Sequence, residues 1–130
     1  MNEQELFMQA QMLEQELQRV AQHRKAIEEE LQQTELFNAQ MKQLPTAKDK
    51  TLLAPLGRGV FVKSAMKDSK MLVQVGAGFV VEREMKDVTE LMARNVMQLK
   101  NAFMQLQTQE EFYVNQMQSL LVQAQSLKKE

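Results

Sequence analysis

Residues 51–83 constrain this chain more than any other stretch, because they separate a pair of long segments that contain neither Gly nor Pro. The stretch reads TLLAPLGRGVFVKSAMKDSKMLVQVGAGFVVER. Its β-branched and apolar residues cluster in short runs separated by Gly, Asp, Ser and Pro, as strands separated by turns would be. The runs are residues 60–66, 71–75 and 79–83, with a shorter one at 51–54 that Pro55 ends. Residues 56–59, 67–70 and 76–78 lie between them and are short enough for tight turns. The pattern predicts four strands paired as two hairpins. So small a sheet needs cover on its apolar face and offers unpaired N–H and C=O groups at its edges. The flanking sequence does not supply that cover. The simplest solution is assembly, with hairpins from several chains joining one larger sheet or barrel.

The flanks carry a different periodicity. In residues 3–43 apolar side chains recur every seventh position at Leu6, Leu13, Val20 and Ile27, and Thr34 and Met41 continue the series. A companion series holds Ala10, Leu17, Arg24, Leu31 and Asn38. Alternating steps of four and three residues hold one stripe against a partner helix, the seam of a coiled coil, and the polar entries are candidates for fixing register. Pro45 is expected to stop this helix and residues 46–50 to form a polar linker. After the strands, Asp87 and Glu90 have the spacing of a capping box. A second helix is expected over residues 88–128, with Met92, Leu99, Leu106, Tyr113, Leu120 and Leu127 on its seam. Its companion series, Val96, Phe103, Met117 and Ala124, is broken only by Glu110. Two such helices of about forty residues each span roughly 60 Å. Folded back antiparallel, with Leu99 and Leu106 near Leu31 and Ile27, they bring both chain ends together far from the sheet.

Composition excludes several classes of function. The 130 residues suit one domain, 1–130, and aromatic content of only 5% without Trp argues against a large globular core. Cysteine is absent, which removes disulfides, thiol catalysis and Cys-ligated metals together. A net charge of −1 gives no whole-chain steering to nucleic acid or membrane. Charge is nonetheless uneven: residues 1–43 balance to −4, residues 44–83 to +4 and residues 84–130 to −1. The basic middle lacks the interleaved aromatics that stack bases, so solubility or pairing with acidic neighbours is the plainer reading. No leader-like or membrane-spanning run is present in the sequence, so a soluble cytoplasmic protein is expected.

The wording of the middle segment carries a resemblance. Leu53-Ala54-Pro55-Leu56-Gly57, Val60-Phe61-Val62-Lys63, Lys67-Asp68 and residues 73–82, VQVGAGFVVE, resemble the alpha class of the prefoldin family. That resemblance implies an α+β fold, a long antiparallel two-helix coiled coil joined through two β-hairpins that oligomerise into a β-barrel platform. It implies two hairpins for the alpha class against one for the beta class. It further implies a hexamer of two alpha-class and four beta-class subunits that captures unfolded proteins without ATP and passes them to a group II chaperonin.

Individual residues sort into roles on this footing. Val62, Val73 and Val81 are the expected barrel-core or subunit-contact positions. Leu13, Leu17, Val20, Ile27, Leu31, Leu99, Leu106 and Leu120 are the expected seam. Phe7, Met8, Met12, Phe112, Val114, Leu121 and Val122 fall off the seam near the expected tip. Of these, Phe7, Met8, Met12, Leu121 and Val122 are the candidates for contact with unfolded clients, since flexible apolar side chains suit a surface that accepts many partners. The competing reading has the cluster pack upon itself and close the tip. Gly76-Ala77-Gly78 reads as a turn rather than a phosphate loop, because it leads into another strand. His23 has no second His or Cys ligand nearby, and Glu28-Glu29-Glu30 reads as a solvated helix face. No metal, cofactor or catalytic set is expected. A different class of function, a structural coiled-coil adaptor that oligomerises through its hairpins and tethers fixed partners, is the alternative.

Overall fold

The computed structural model describes residues 2–44 and 51–129. Two helices enclose four strands in the order α1 (Glu3–Lys42), β1 (Leu52–Gly57), β2 (Val60–Ser64), β3 (Lys70–Gly76), β4 (Phe79–Glu84) and α2 (Met85–Lys129). The expected stop at Pro45 and the linker that follows it lie outside the described residues. The chain divides into two compact units: Met1–Gln33 with Met97–Glu130, and Thr34–Val96.

The helical unit is built by the seven-residue stripe. Val20 is completely buried, and Leu6, Leu106 and Leu120 nearly so. Leu13, Leu17, Ile27, Leu31 and Leu99 are half-buried, while the positions between them are mostly exposed. Asn2 starts α1: its Oδ1 accepts a hydrogen bond from the Glu5 N–H at 2.8 Å, and its carbonyl accepts one from Leu6. Such caps satisfy the donors that a first helical turn leaves free. The acidic side chains of Glu3 and Glu5 in that turn complement the positive end of the helix dipole.

Two of the polar breaks in the stripes meet. Arg24 Nε donates to Glu110 Oε2 at 2.6 Å, and each side chain is 29% exposed. Arg24 also lies 3.7 Å from Glu28 on its own helix. One break from each helix is thereby satisfied, and the antiparallel register of the unit is set at that point. Counted antiparallel from that pair, Ile27 falls level with Gln107 and Leu31 with Phe103.

The strands form two separate antiparallel hairpins, β1–β2 and β3–β4. Pro55 does not end a strand but sits within β1, opposite Phe61. A two-stranded ribbon has only edge strands, and on an edge the missing N–H of proline can face away from the ladder. Both hairpins turn the same way. Gly57↔Val60 and Gly76↔Phe79 close them, each with one bulged residue just before, Leu56 and Val75. The turn residues Arg58 and Ala77 have φ of 55° and 51°, followed by Gly59 and Gly78 at 78° and 80°. Two successive positive φ angles give the turn type whose twist matches that of paired strands. The Gly at its second position is there because a side chain would be strained.

The second helix begins earlier than the capping-box spacing predicts, at Met85 rather than 88. Asp87 consequently lies in the first turn and does not cap it. β4 runs into α2 without a loop, and the Met85 N–H donates instead to the Ser69 carbonyl at 3.0 Å. Ser69 Oγ donates to Glu84 at 2.9 Å, and Asp68 accepts from the Lys70 N–H at 2.9 Å. The β2–β3 connection is thus tied to the strand–helix junction, and a tertiary acceptor takes the place of a local cap.

Candidate functional site

Two groups of apolar side chains remain uncovered, one on the helix ends and one on the strands. On an ideal helix each residue turns about 100°. Phe7 and Leu121 therefore border the seam residues Leu6 and Leu120, while Met8 and Val122 are turned about 200° from them. The structure follows this geometry. Phe7 and Leu121 line an open hollow of about 310 Å³ between the two helix ends, together with Leu6, Ala10, Met117 and Leu127. Glu3 and Lys128 stand at its rim, one charge of each sign. Met8, Met12 and Val122 are outside the hollow on the outer faces. All five candidate tip residues are between 58% and 66% exposed. Phe112 and Val114, also near this end, are exposed as well.

On the strands the three expected contact valines divide. Val73 and Val81 are opposite one another in the β3–β4 ladder and half-buried. They line a hollow of about 400 Å³ with Val75, Val88 and Leu91, rimmed by Arg83, Asp87, Glu90 and Arg94. Val62 lies on the other hairpin, opposite Ala54, and is exposed. The structure brings together Val73 and Val81 and leaves Val62 apart.

Most of the uncovered strand surface lies outside the three valines expected from sequence. Leu53, Leu56, Phe61, Leu72, Val75, Phe79 and Val80 are all exposed, and no strand residue is buried. A usable signal exists in Val60-Phe61-Val62 and Phe79-Val80-Val81. Three consecutive apolar residues put apolar side chains on both faces of a strand, and a strand apolar on both faces is one covered on both. The Arg24–Glu110 pair was also missed. Each residue was visible as a break in its stripe, and their opposite charges were the clue that the breaks belong together.

His23 is exposed, as is most of Glu28-Glu29-Glu30. Among the described residues no group of three His, Cys, Asp or Glu is placed to hold a metal ion, and no helix is long and apolar enough to cross a membrane.

A family model described as Prefoldin subunit matches residues 4–130. Among solved structures, the chain is similar to a cryo-EM structure of filamentous PFD from Methanocaldococcus jannaschii, at 19% identity and a TM-score of 0.53. That likeness covers 92% of this chain and 95% of the other, and shows the same fold. No curated protein sequence matches.

Proposed function

The chain belongs to the prefoldin family, and from that premise we propose that it is an alpha-class subunit of a chaperone that holds unfolded proteins without ATP. Support for the alpha class is the presence of two hairpins, β1–β2 and β3–β4, the number that the resemblance assigns to that class. Support for assembly with other prefoldin subunits is the uncovered apolar surface of those hairpins. In the proposed particle, two such chains and four beta-class chains pair their hairpins into a barrel, which removes the free edges. The cytoplasm and a group II chaperonin as the receiving machine complete the reading, on the family resemblance alone.

The observation that carries client capture is the exposure of Phe7, Met8, Met12, Leu121 and Val122 at the helix ends. Holding an unfolded chain needs apolar area and no chemistry, at roughly 25 cal/mol for each Å² covered. Several tips on one particle engage one client together, so avidity turns weak contacts into retention. The contacts must also adapt to many sequences, which flexible thioethers do well.

Changing the five residues together to Ser tests this. The particle mass is expected to stay that of the parent by light scattering, because the strands are untouched. Suppression of aggregation for several unrelated denatured proteins is expected to disappear. A five-fold variant that still suppresses aggregation as the parent does would show that the tip is not the capturing surface.

A further inference from the structure

We propose that Met8 and Met12 form a peroxide-responsive modification site whose oxidation switches client capture off, an inference that rests on the holdase reading above. The chain has eleven methionines and no cysteine, so peroxide meets no thiol before it meets a thioether. Among the described methionines, Met8, Met12, Met97 and Met104 are exposed, Met41 is buried and the rest are half-buried. Oxidation follows access, so these four react first.

Their positions decide the consequence. Met8 and Met12 are four residues apart, hence neighbours on one face of α1. With Phe7 they make up the exposed large apolar side chains of the first turns of α1. Two of the three apolar groups that α1 offers at this end are therefore oxidisable, while Leu121 and Val122 on α2 are inert. Met97 and Met104 sit well along α2 from its end and supply an internal control.

The chemistry needs only peroxide. The thioether sulfur donates a lone pair to one peroxide oxygen, an S–O bond forms, the O–O bond breaks, and water leaves after proton transfer. Sulfur loses the electron pair that the peroxide gains. The product is a polar sulfoxide in place of a flexible apolar chain. Sulfoxide reductases, one for each epimer, reverse the change with electrons from a thiol pair.

The test uses the full chain in its assembled form, titrated with hydrogen peroxide and followed by peptide mass mapping. Met8, Met12, Met97 and Met104 are expected to gain oxygen before Met41, Met92 and Met117. Suppression of aggregation is expected to fall to the level of a Met8→Gln/Met12→Gln variant, with helix melting unchanged, and to return after treatment with both reductases. Measured against its own untreated level, Met8→Leu/Met12→Leu is expected to lose no further suppression through the same titration, while Met97→Leu/Met104→Leu loses the same fraction as the parent does. Oxidation of the seam methionines at equal rate, or equal loss in the Met8→Leu/Met12→Leu variant, overturns the proposal. A parent that captures clients but is unmoved by sulfoxide at both positions overturns it alone. A parent that captures nothing before oxidation overturns the holdase reading and the switch with it.

Discussion

In the helical unit Leu6, Val20, Leu106 and Leu120 are buried, whereas on the strands no residue is buried and Phe61, Leu72 and Phe79 are largely bare. The two regions contain similar apolar side chains and differ in what would complete them. A heptad stripe is a single line of contact, and one neighbouring helix satisfies it. A two-stranded ribbon has two faces and two edges, and pairing its strands covers none of the four. The helical unit thus carries its own partner within the chain. The hairpins call for another chain, and their surface reports that need directly.

The sharpest way to break this comparison is to charge the hairpins. Val73→Asp puts a carboxylate opposite Val81 in an apolar ladder, where assembly would strip it of water at a cost of several kcal/mol that Arg83 and Arg94 at the rim offset only in part. The oligomer is expected to be lost in size-exclusion chromatography with light scattering, while helical circular dichroism persists. An oligomer of normal mass would mean that the β3–β4 hairpin is not an assembly surface. The converse change acts on the helices. Leu106→Ala deletes a buried side chain and should cost about 2–3 kcal/mol, toward the low end for a two-helix seam. Helix melting is expected to fall with the assembly mass unchanged. A melting temperature equal to the parent's would contradict the burial of that position.

A smaller effect sharpens the picture of the seam. Arg24→Met leaves Glu110 partly buried without its partner and should lower stability by about 1–2 kcal/mol, since both groups keep some contact with water. Adding Glu110→Leu should recover most of that loss, because apolar side chains replace buried ion pairs with little or no penalty. A double variant no more stable than the single would show that the loss has another origin. The smallest effect concerns a turn. Ala77 holds a positive φ of 51° ahead of Gly78, a conformation that Asn adopts more readily than Ala. Ala77→Asn is expected to raise thermal stability by about 0.5–1 kcal/mol. A decrease would place the Ala77 side chain in a contact that matters more than its strain.

How far these regions are legible in sequence follows from the range of the interactions that build them. The two-helix coiled coil is legible because Leu13, Val20, Leu99 and Leu106 repeat a period that no strand can use. The two hairpins are legible because Gly57, Gly59, Gly76 and Gly78 mark turns through a purely local backbone requirement. Asp87 misled because the start of α2 is set by the Ser69 carbonyl, eighteen places away from it and invisible to any local pattern. Pro55 misled because its effect depends on which edge of the ladder it faces. Arg24 and Glu110 stood out singly, yet only the register between helices makes them a pair. The exposed apolar residues of the helix ends are visible in sequence as departures from the stripe. What they bind is a question of exposure in an assembled particle, which no periodicity encodes.

The duplicate turns have a consequence for sorting. Leu56-Gly57-Arg58-Gly59 and Val75-Gly76-Ala77-Gly78 give two hairpins of matching backbone shape. A neighbouring strand that read backbone alone would choose between them at random, and half of all encounters would join the wrong end. Selecting one tenfold over the other takes a difference of about 1.4 kcal/mol in binding free energy. Side chains must supply it, and the turns themselves already differ in charge: Arg58 labels the first with a cation where the second carries the uncharged methyl of Ala77. An acidic neighbour would find one address and pass the other by.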